Sequence, residues 1–363
     1  MGKPETETLV LCNWPLTNEF ACIAGSKFEP MESELASVFK TGYNGDYFKF
    51  ADISKMCGRL DTSAKKLFDY SCICLSQINS YGATKNLKNQ VKFSLEDYAR
   101  RTNHDIFVRD LTDSNKESKR IRDAKSNLRK QMKKDLEDIK QLTWTGHVVK
   151  GRNKGEYDNI RLILSYSIAQ DYVTIIFDVC FVRFLTNAYV MQFPMCLLEH
   201  DNHKSNAYSI GRKLALHFNI NRGKNNATII SVYSLLCEAP GIPSKEELAN
   251  WGVRGQRNWR EKIKNALEKA LNDNISIGLI KKWIYKGTGG YVYESVEANI
   301  FDWDVWISLM VFFDPTESWA KAVTKPSECR GSEEPLSRWR GTITAYIPSI
   351  YAGFATRIKP NTF

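Results

Sequence analysis

Between residues 62 and 80 the apolar positions Ala64, Leu67, Phe68, Leu75 and Ile78 recur at helical spacing, which predicts an amphipathic helix. A short strand is expected at residues 91–93, followed by a helix with Ser94 as N-cap and Glu96 and Asp97 in its first turn. Residues 115–140 carry a longer stripe, Ile121, Ala124, Leu128, Met132, Leu136 and Ile139, at steps of three and four. Beyond it the period changes to two, predicting strands at 142–149, 160–166 and 171–177. Lys150-Gly151-Arg152-Asn153-Lys154-Gly155 separates the first two as a hairpin turn. Residues 46–53 alternate aromatic and polar side chains and add one more strand.

A second set of elements follows from Asp178. Helices are predicted at 207–218 and 228–238, and Ser244 with Glu247 forms a capping box for a short helix that ends before Gly252. Residues 256–272 make another helix, with Trp259, Ile263, Ala266, Leu267 and Ala270 toward the core. Strands at 279–285 and 291–294 flank the turn Lys286-Gly287-Thr288-Gly289-Gly290. Each half therefore runs from a short capped helix to a longer helix to a pair of strands around a Gly/Lys turn. That order predicts an α+β, helix-rich chain of two tandem winged-helix domains, 46–177 and 178–313. An N-terminal extension, 1–45, and a C-terminal tail, 314–363, flank them. A length of 363 residues accommodates two domains with extensions.

Charge sharpens this picture. Lysine and arginine outnumber aspartate and glutamate 51 to 41, a net charge of +10, which favours a polyanionic partner. In a winged helix the second helix enters the major groove, about 12 Å wide, with the hairpin beside it. Ten Lys/Arg and five Asp/Glu lie between residues 115 and 140. At about 100° per residue, Lys119, Arg122, Arg129, Lys130 and Lys133 fall opposite or beside the apolar stripe. Lys150, Arg152 and Lys154 occupy the adjoining turn. In the second half Arg254, Arg257, Asn258, Arg260, Lys264 and Asn265 are the candidates, with Lys281, Lys282 and Lys286 on the wing. Arginine and asparagine suit base edges, so this half is the better sequence reader and the first the better phosphate binder.

Catalytic chemistry finds little support. The five histidines contain no His-x-His pair, and no Cys-x-x-Cys occurs among nine cysteines. His200-Asp201-Asn202-His203 reads as a polar surface loop, and Asp302-Trp303-Asp304 as solvated acids at the edge of an element. Either is the candidate centre of a metal-dependent nuclease or primase, the reading set against DNA binding. The expectation is a non-enzyme with no catalytic residue, metal or cofactor. No apolar run reaches the 18–20 or so residues of a membrane span, the start lacks the apolar core of a signal peptide, and the cysteines fit a reducing cytoplasm.

Asp61 to Lys66 with its helix, Val91-Lys92-Phe93-Ser94-Leu95-Glu96-Asp97-Tyr98, Tyr208-Ser209-Ile210-Gly211-Arg212-Lys213-Leu214, and Ile242 to Leu248 with the helix around Trp259 are the stretches that carry a family likeness. Over residues 46–310 the chain resembles the plasmid replication initiators, or Rep proteins, built from two winged-helix domains. The resemblance implies a bacterial cytoplasmic protein that binds repeated double-stranded sites at an origin and recruits host helicase and primase. It also implies dimerisation through the first domain, as in many members. A transcriptional repressor of a mobile element is the competing reading within DNA binding.

Overall fold

A computed structural model describes residues 8–13, 38–40, 47–50, 61–79, 85–102, 114–148, 155–186, 189–239, 241–250, 258–287, 292–293 and 302–324. The chain opens with strands β1 (Thr8–Asn13), β2 (Val38–Lys40) and β3 (Tyr47–Phe50), then helix α1 (Thr62–Ile78). Strand β4 (Gln90–Ser94) leads into α2 (Leu95–Arg101) and the long α3 (Ser114–Lys140). Strands β5 (Leu142–Val148), β6 (Gly155–Arg161), β7 (Ile163–Ala169) and β8 (Tyr172–Phe177) follow, then α4 (Val179–Thr186). Leu128, Met132, Leu136 and Ile139 bury the predicted stripe of α3 against α1 and β7. Each contributes about 1.5–3 kcal/mol over an exposed position.

The hairpin after α3 is displaced from its expected place. β5 pairs with β6, Val148 opposite Gly155, so the partner strand starts at residue 155 and not at 160. β7 belongs to a different sheet, ordered β4-β8-β7, while β5 and β6 extend the sheet β2-β3-β5-β6. Leu162 and Ile163 are buried consecutively, which breaks the period-two alternation and bends the chain from one sheet to the next. The sequence around 160–166 alternates well enough to read as one strand across that bend.

Strand β9 (Tyr189–Pro194), a 3-10 turn (Met195–Glu199) and α5 (Ser205–Ile220) carry the chain into the second half. There β10 (Ile229–Ser231) precedes α6 (Val232–Cys237) and α7 (Lys245–Asn250). Residues 229–231, expected to be helical, pair instead with the strand at residues 310–312. The capping box of α7 is complete: the Glu247 N–H donates to Ser244 Oγ and the Ser244 N–H to the Glu247 carboxylate. A π-helical turn (Arg260–Lys264) opens α8 (Asn265–Ser276). β11 (Ile280–Lys286), β12 (Val292–Tyr293), α9 (Trp303–Ile307), β13 (Met310–Pro315) and α10 (Glu317–Thr324) complete the described chain. Their sheet is ordered β10-β13-β11-β12. Trp319 of α10 is buried against Phe218, ring centroids 4.9 Å apart, so the fold runs on past the expected boundary at 313. The stretch expected as an N-terminal extension also enters the fold, since β1 pairs with β9 and β2 with β3.

Both halves share one construction. Ser94 at the end of β4 accepts the Asp97 N–H, and Ser231 at the end of β10 accepts the Ser234 N–H, so each strand hands over to a capped helix. The Leu95 N–H donates to the carbonyl of Asp171, just ahead of β8, and the Val232 N–H to that of Leu309, just ahead of β13. Phe177 donates back to Asn89 and Phe313 to Thr228, each acceptor immediately preceding the strand that hands over to the capped helix. A long helix precedes the unit in both halves, and α3 or α8 leads from it into an antiparallel hairpin.

One acid of α3 lies inside the fold. Asp135 is buried and accepts from Ser63 Oγ (3.0 Å) and Gln131 Nε2 (2.8 Å). Burial pushes its carboxyl up to about 7, against the two hydrogen bonds that favour the anion. The folded state then holds a proton that the unfolded chain releases near pH 4, so this group's contribution to stability is lost as pH rises from about 4 to 7. Burial lowers His200 to about 4, and its contribution is lost in the opposite sense, as pH falls from about 6.5 to 4. Asp135→Asn is therefore expected to gain stability relative to the wild type as pH rises from about 4 to about 7 in urea titrations. A difference that does not vary with pH would show that Asp135 is ionised throughout.

Candidate nucleic-acid interface

The buried stripe of α3 turns its opposite side to solvent. Arg122, Lys130 and Lys133 are exposed on it, as their angular positions predict. Lys134 is exposed there too but pairs with Asp61 at 2.6 Å. Arg129 is less free than expected. Its guanidinium reaches Asp171 in the β7–β8 turn at 3.0 Å, its Nε is buried, and Lys125 approaches the same carboxylate at 3.8 Å. Arg129 lies at the flank of the stripe, so it closes the seam between α3 and the sheet. Lys119 is described in backbone only, and Lys150, Arg152 and Lys154 lie outside the described residues.

In the second half the exposed side of the π turn and α8 carries Asn258, Arg260, Glu261, Lys262, Asn265 and Lys269. Arg254 and Arg257 lie outside the described residues. Lys264 contradicts its assignment. It is buried, with its ammonium 2.8 Å from Glu268 one turn on. Glu268 also accepts from the Tyr285 hydroxyl (3.2 Å), which accepts from Trp306 Nε1 (3.0 Å). The reason is angular: Leu271 and Asn274 are buried as well, and including them turns the centre of the inward stripe toward Lys264. Lys264 therefore anchors the start of the helix to the sheet beneath it. Trp259 adds to that anchor, its ring 5.3 Å from Trp303 and 5.4 Å from Trp306. Lys262 and Lys269 are cations that the sequence reading passed over; their positions opposite Leu267 and Leu271 were the available signal.

The wing lysines divide. A register shift between Ile280 and Lys282 leaves Lys281 and Lys282 both exposed, and Lys281 pairs with Glu317 at 3.2 Å. Lys286 is half-buried at the far end of β11, opposite Val292. At about 3.3 Å per residue, Lys282 is some 13 Å further from the hairpin turn than Lys286. Lys281 and Lys282 therefore belong to the base of the wing, beside α10, and only Lys286 adjoins its tip.

The candidate metal residues are otherwise engaged. Asp302 Oδ1 accepts the Asp304 N–H and caps α9, and Asp304 lies 3.7 Å from the Lys245 ammonium. His200, expected on a surface loop, is buried against α8, its Nε2 3.2 Å from Asn274 Oδ1. Asn274 Nδ2 donates to the carbonyls of Ala207 and Ala270, so its oxygen faces the ring and His200 Nε2 carries the proton. Among the described residues no three His, Cys, Asp or Glu side chains gather as a metal site. Nor is any described helix long and apolar enough to cross a membrane.

The chain is similar to a solved structure. That structure is the Pi initiator protein in complex with iteron DNA; the alignment has a TM-score of 0.46 and 11% identity, and covers 87% of this chain and 100% of that one. No protein-family model matches the sequence, and no curated protein matches it.

Proposed function

We propose that this chain is a non-enzymatic replication initiator of a plasmid or other mobile element. On this reading it binds repeated double-stranded DNA sites at an origin in the bacterial cytoplasm, through two tandem winged-helix modules, and recruits host helicase and primase. The observation that carries the reading is the repeated construction. Each half places a helix with one apolar and one cation-bearing side directly ahead of an antiparallel hairpin. The exposed cations of α3 suit phosphates, and the mixed side of α8 and the turns that lead into it, with Asn258, Arg260 and Asn265, suits base edges. Dimerisation through the first half belongs to the same reading.

Selection of bound sequences from random duplexes tests it. Recovery of a repeated motif is the expected result, and uniform retention of all sequences with a steep salt dependence would remove it. Asn265→Ala is expected to relax preference at one base position by about 1–3 kcal/mol while leaving the rest of the motif intact. Maintenance of an origin plasmid in trans separates an initiator from a repressor, which binds without supporting replication.

A further inference from the structure

Strand β4 lies at one end of the sheet β4-β8-β7, and β7 at the other end packs on α3. The ladder with β8 settles which main-chain groups of β4 point away from the sheet. Phe177 donates to the Asn89 carbonyl and Leu95 to that of Asp171, so residues 89, 91, 93 and 95 are the ones that bond toward β8. The N–H and C=O groups of residues 88, 90 and 92 point to the open edge. At residue 88 one side chain takes both: the Lys88 N–H donates to Asn79 Oδ1, and Asn79 Nδ2 donates to the Lys88 carbonyl, each at 2.8 Å. Asn79, just past the end of α1, thus stands where a residue of a further strand would. The main-chain groups of Gln90 and Lys92 on this edge have no such partner among the described residues. Beside them opens a cleft of about 370 Å³ whose lining includes Tyr70, Cys74, Ile78 and Phe93. That volume falls in the range of ligand clefts, about 300–1,000 Å³. Its rim is cationic. Lys85, Lys88 and Lys92 are exposed and have no acid within ion-pair distance among the described residues, and the Lys92 ammonium lies 4.5 Å from the Tyr172 ring on the outer face of the sheet. Asp97, at the Ser94 end, is the acid of the cleft; it accepts from the Tyr70 hydroxyl and lies 3.9 Å from Arg101.

We infer that the open edge of β4 and the cleft beside it dock an extended acidic segment of a partner protein, added to the sheet as a further strand. Main-chain hydrogen bonds to Gln90 and Lys92 hold such a segment whatever its sequence, and its alternate side chains decide which segment fits. Side chains opposite Val91 and Phe93 share the inner face of the sheet and fall toward the cleft. Those opposite Gln90 and Lys92 share the outer face with the lysines. Apolar residues suit the first set and acids the second, so the segment alternates acidic and apolar positions. Asp97 repels an acid at the Ser94 end, which places the acids toward Lys88 and Lys92. Asn79 closes the edge at residue 88 and so sets where the added strand stops. The net charge of +10 favours a partner of opposite sign over a second copy of this chain. A nucleic acid would satisfy the lysines but offers no alternating donors and acceptors to the strand edge. The docking site is independent of the DNA reading, since β4 is the strand of its sheet farthest from the one that packs on α3.

The experiment uses immobilised full-length protein to select from a pool of short random peptides, and the enriched sequences are synthesised and titrated. Peptides that alternate acidic and apolar residues are the expected result. Gln90→Pro removes a donor that faces away from β8, at the first position of an edge strand, where proline is tolerated. It is expected to weaken the enriched peptides about tenfold. Lys88→Glu with Lys92→Glu is expected to weaken them about tenfold or more and to turn a repeated selection toward basic peptides. No enrichment, enriched peptides without acids or without alternation, or binding by both variants within about twofold of the wild type would overturn the inference. Should the melting transition show that Gln90→Pro does not fold, the lysine variant decides together with Ile78→Glu, which sets a repelling charge at a position 38% exposed in the mouth of the cleft and is expected to weaken the same peptides. A random-sequence duplex that displaces the peptides, and whose own binding the lysine variant weakens, would assign these lysines to nucleic acid and overturn the inference. Enriched sequences that match a stretch of this chain would overturn a foreign partner in favour of a second copy.

Discussion

Asp69→Ala is expected to lower the stability of the whole chain by about 3–5 kcal/mol, read as a fall in the urea midpoint. The carboxylate is the acceptor for both Arg212 and Tyr208, and removing it takes the counter-ion from a buried guanidinium and the acceptor from a buried hydroxyl. Breaking a buried pair costs far more than its net Coulombic value, because the surviving charge stays out of water without its counter-ion. The complementary expectation concerns Asp69→Leu with Arg212→Met. With no charge left to solvate, that pair of substitutions should recover most of the loss. A fall below about 1 kcal/mol for Asp69→Ala would mean that water reaches Arg212 and that the contact between α1 and α5 is more open than its geometry shows.

On the proposed reading of the chain as a duplex binder, Lys130→Glu with Lys133→Glu should weaken that binding about 100-fold at 0.1 M or so of salt, with the melting transition unchanged. Both ammonium groups are exposed, on the side of α3 opposite Leu128 and Met132, and neither has an acid within ion-pair distance among the described residues. They are therefore available to phosphates in a way that Arg129 and Lys134, each already on a carboxylate, are not. Each phosphate contact contributes about 0.9 to the slope of log affinity against log salt, so the slope should become shallower by about 2. Base preference should stay as it is, since phosphate contacts carry no sequence information. An unchanged slope would place the DNA elsewhere on the molecule. Lys264→Glu is a contrasting case: it sets an acid beside Glu268 under the helix, so its damage belongs to folding and not to DNA contact.

Much of the architecture was legible because it is local. The stripe of α3, the Ser94 cap and the Ser244–Glu247 capping box depend on residues three or four apart, and all three stand where spacing placed them. The exposed cations Arg122, Lys130 and Lys133 follow from the same periodicity, since whatever lies opposite a buried stripe faces water. The break at Leu162 was not legible, because a strand that changes sheets keeps its extended backbone and nearly keeps its alternation.

Burial of charge obeys a different rule. Asp69 and Arg212 are 143 residues apart, and nothing near either one marks it as interior. Asp135, Lys264 and His200 carry polar side chains that a sequence assigns to solvent by default; each is inside only because Ser63, Glu268 or Asn274 arrives from the rest of the fold or the next turn to satisfy it. Helix periodicity is a property of the chain alone, and the sequence carries it whole. Whether a charge can leave water depends on which partner the folded molecule brings to it, and for these residues that was settled in three dimensions.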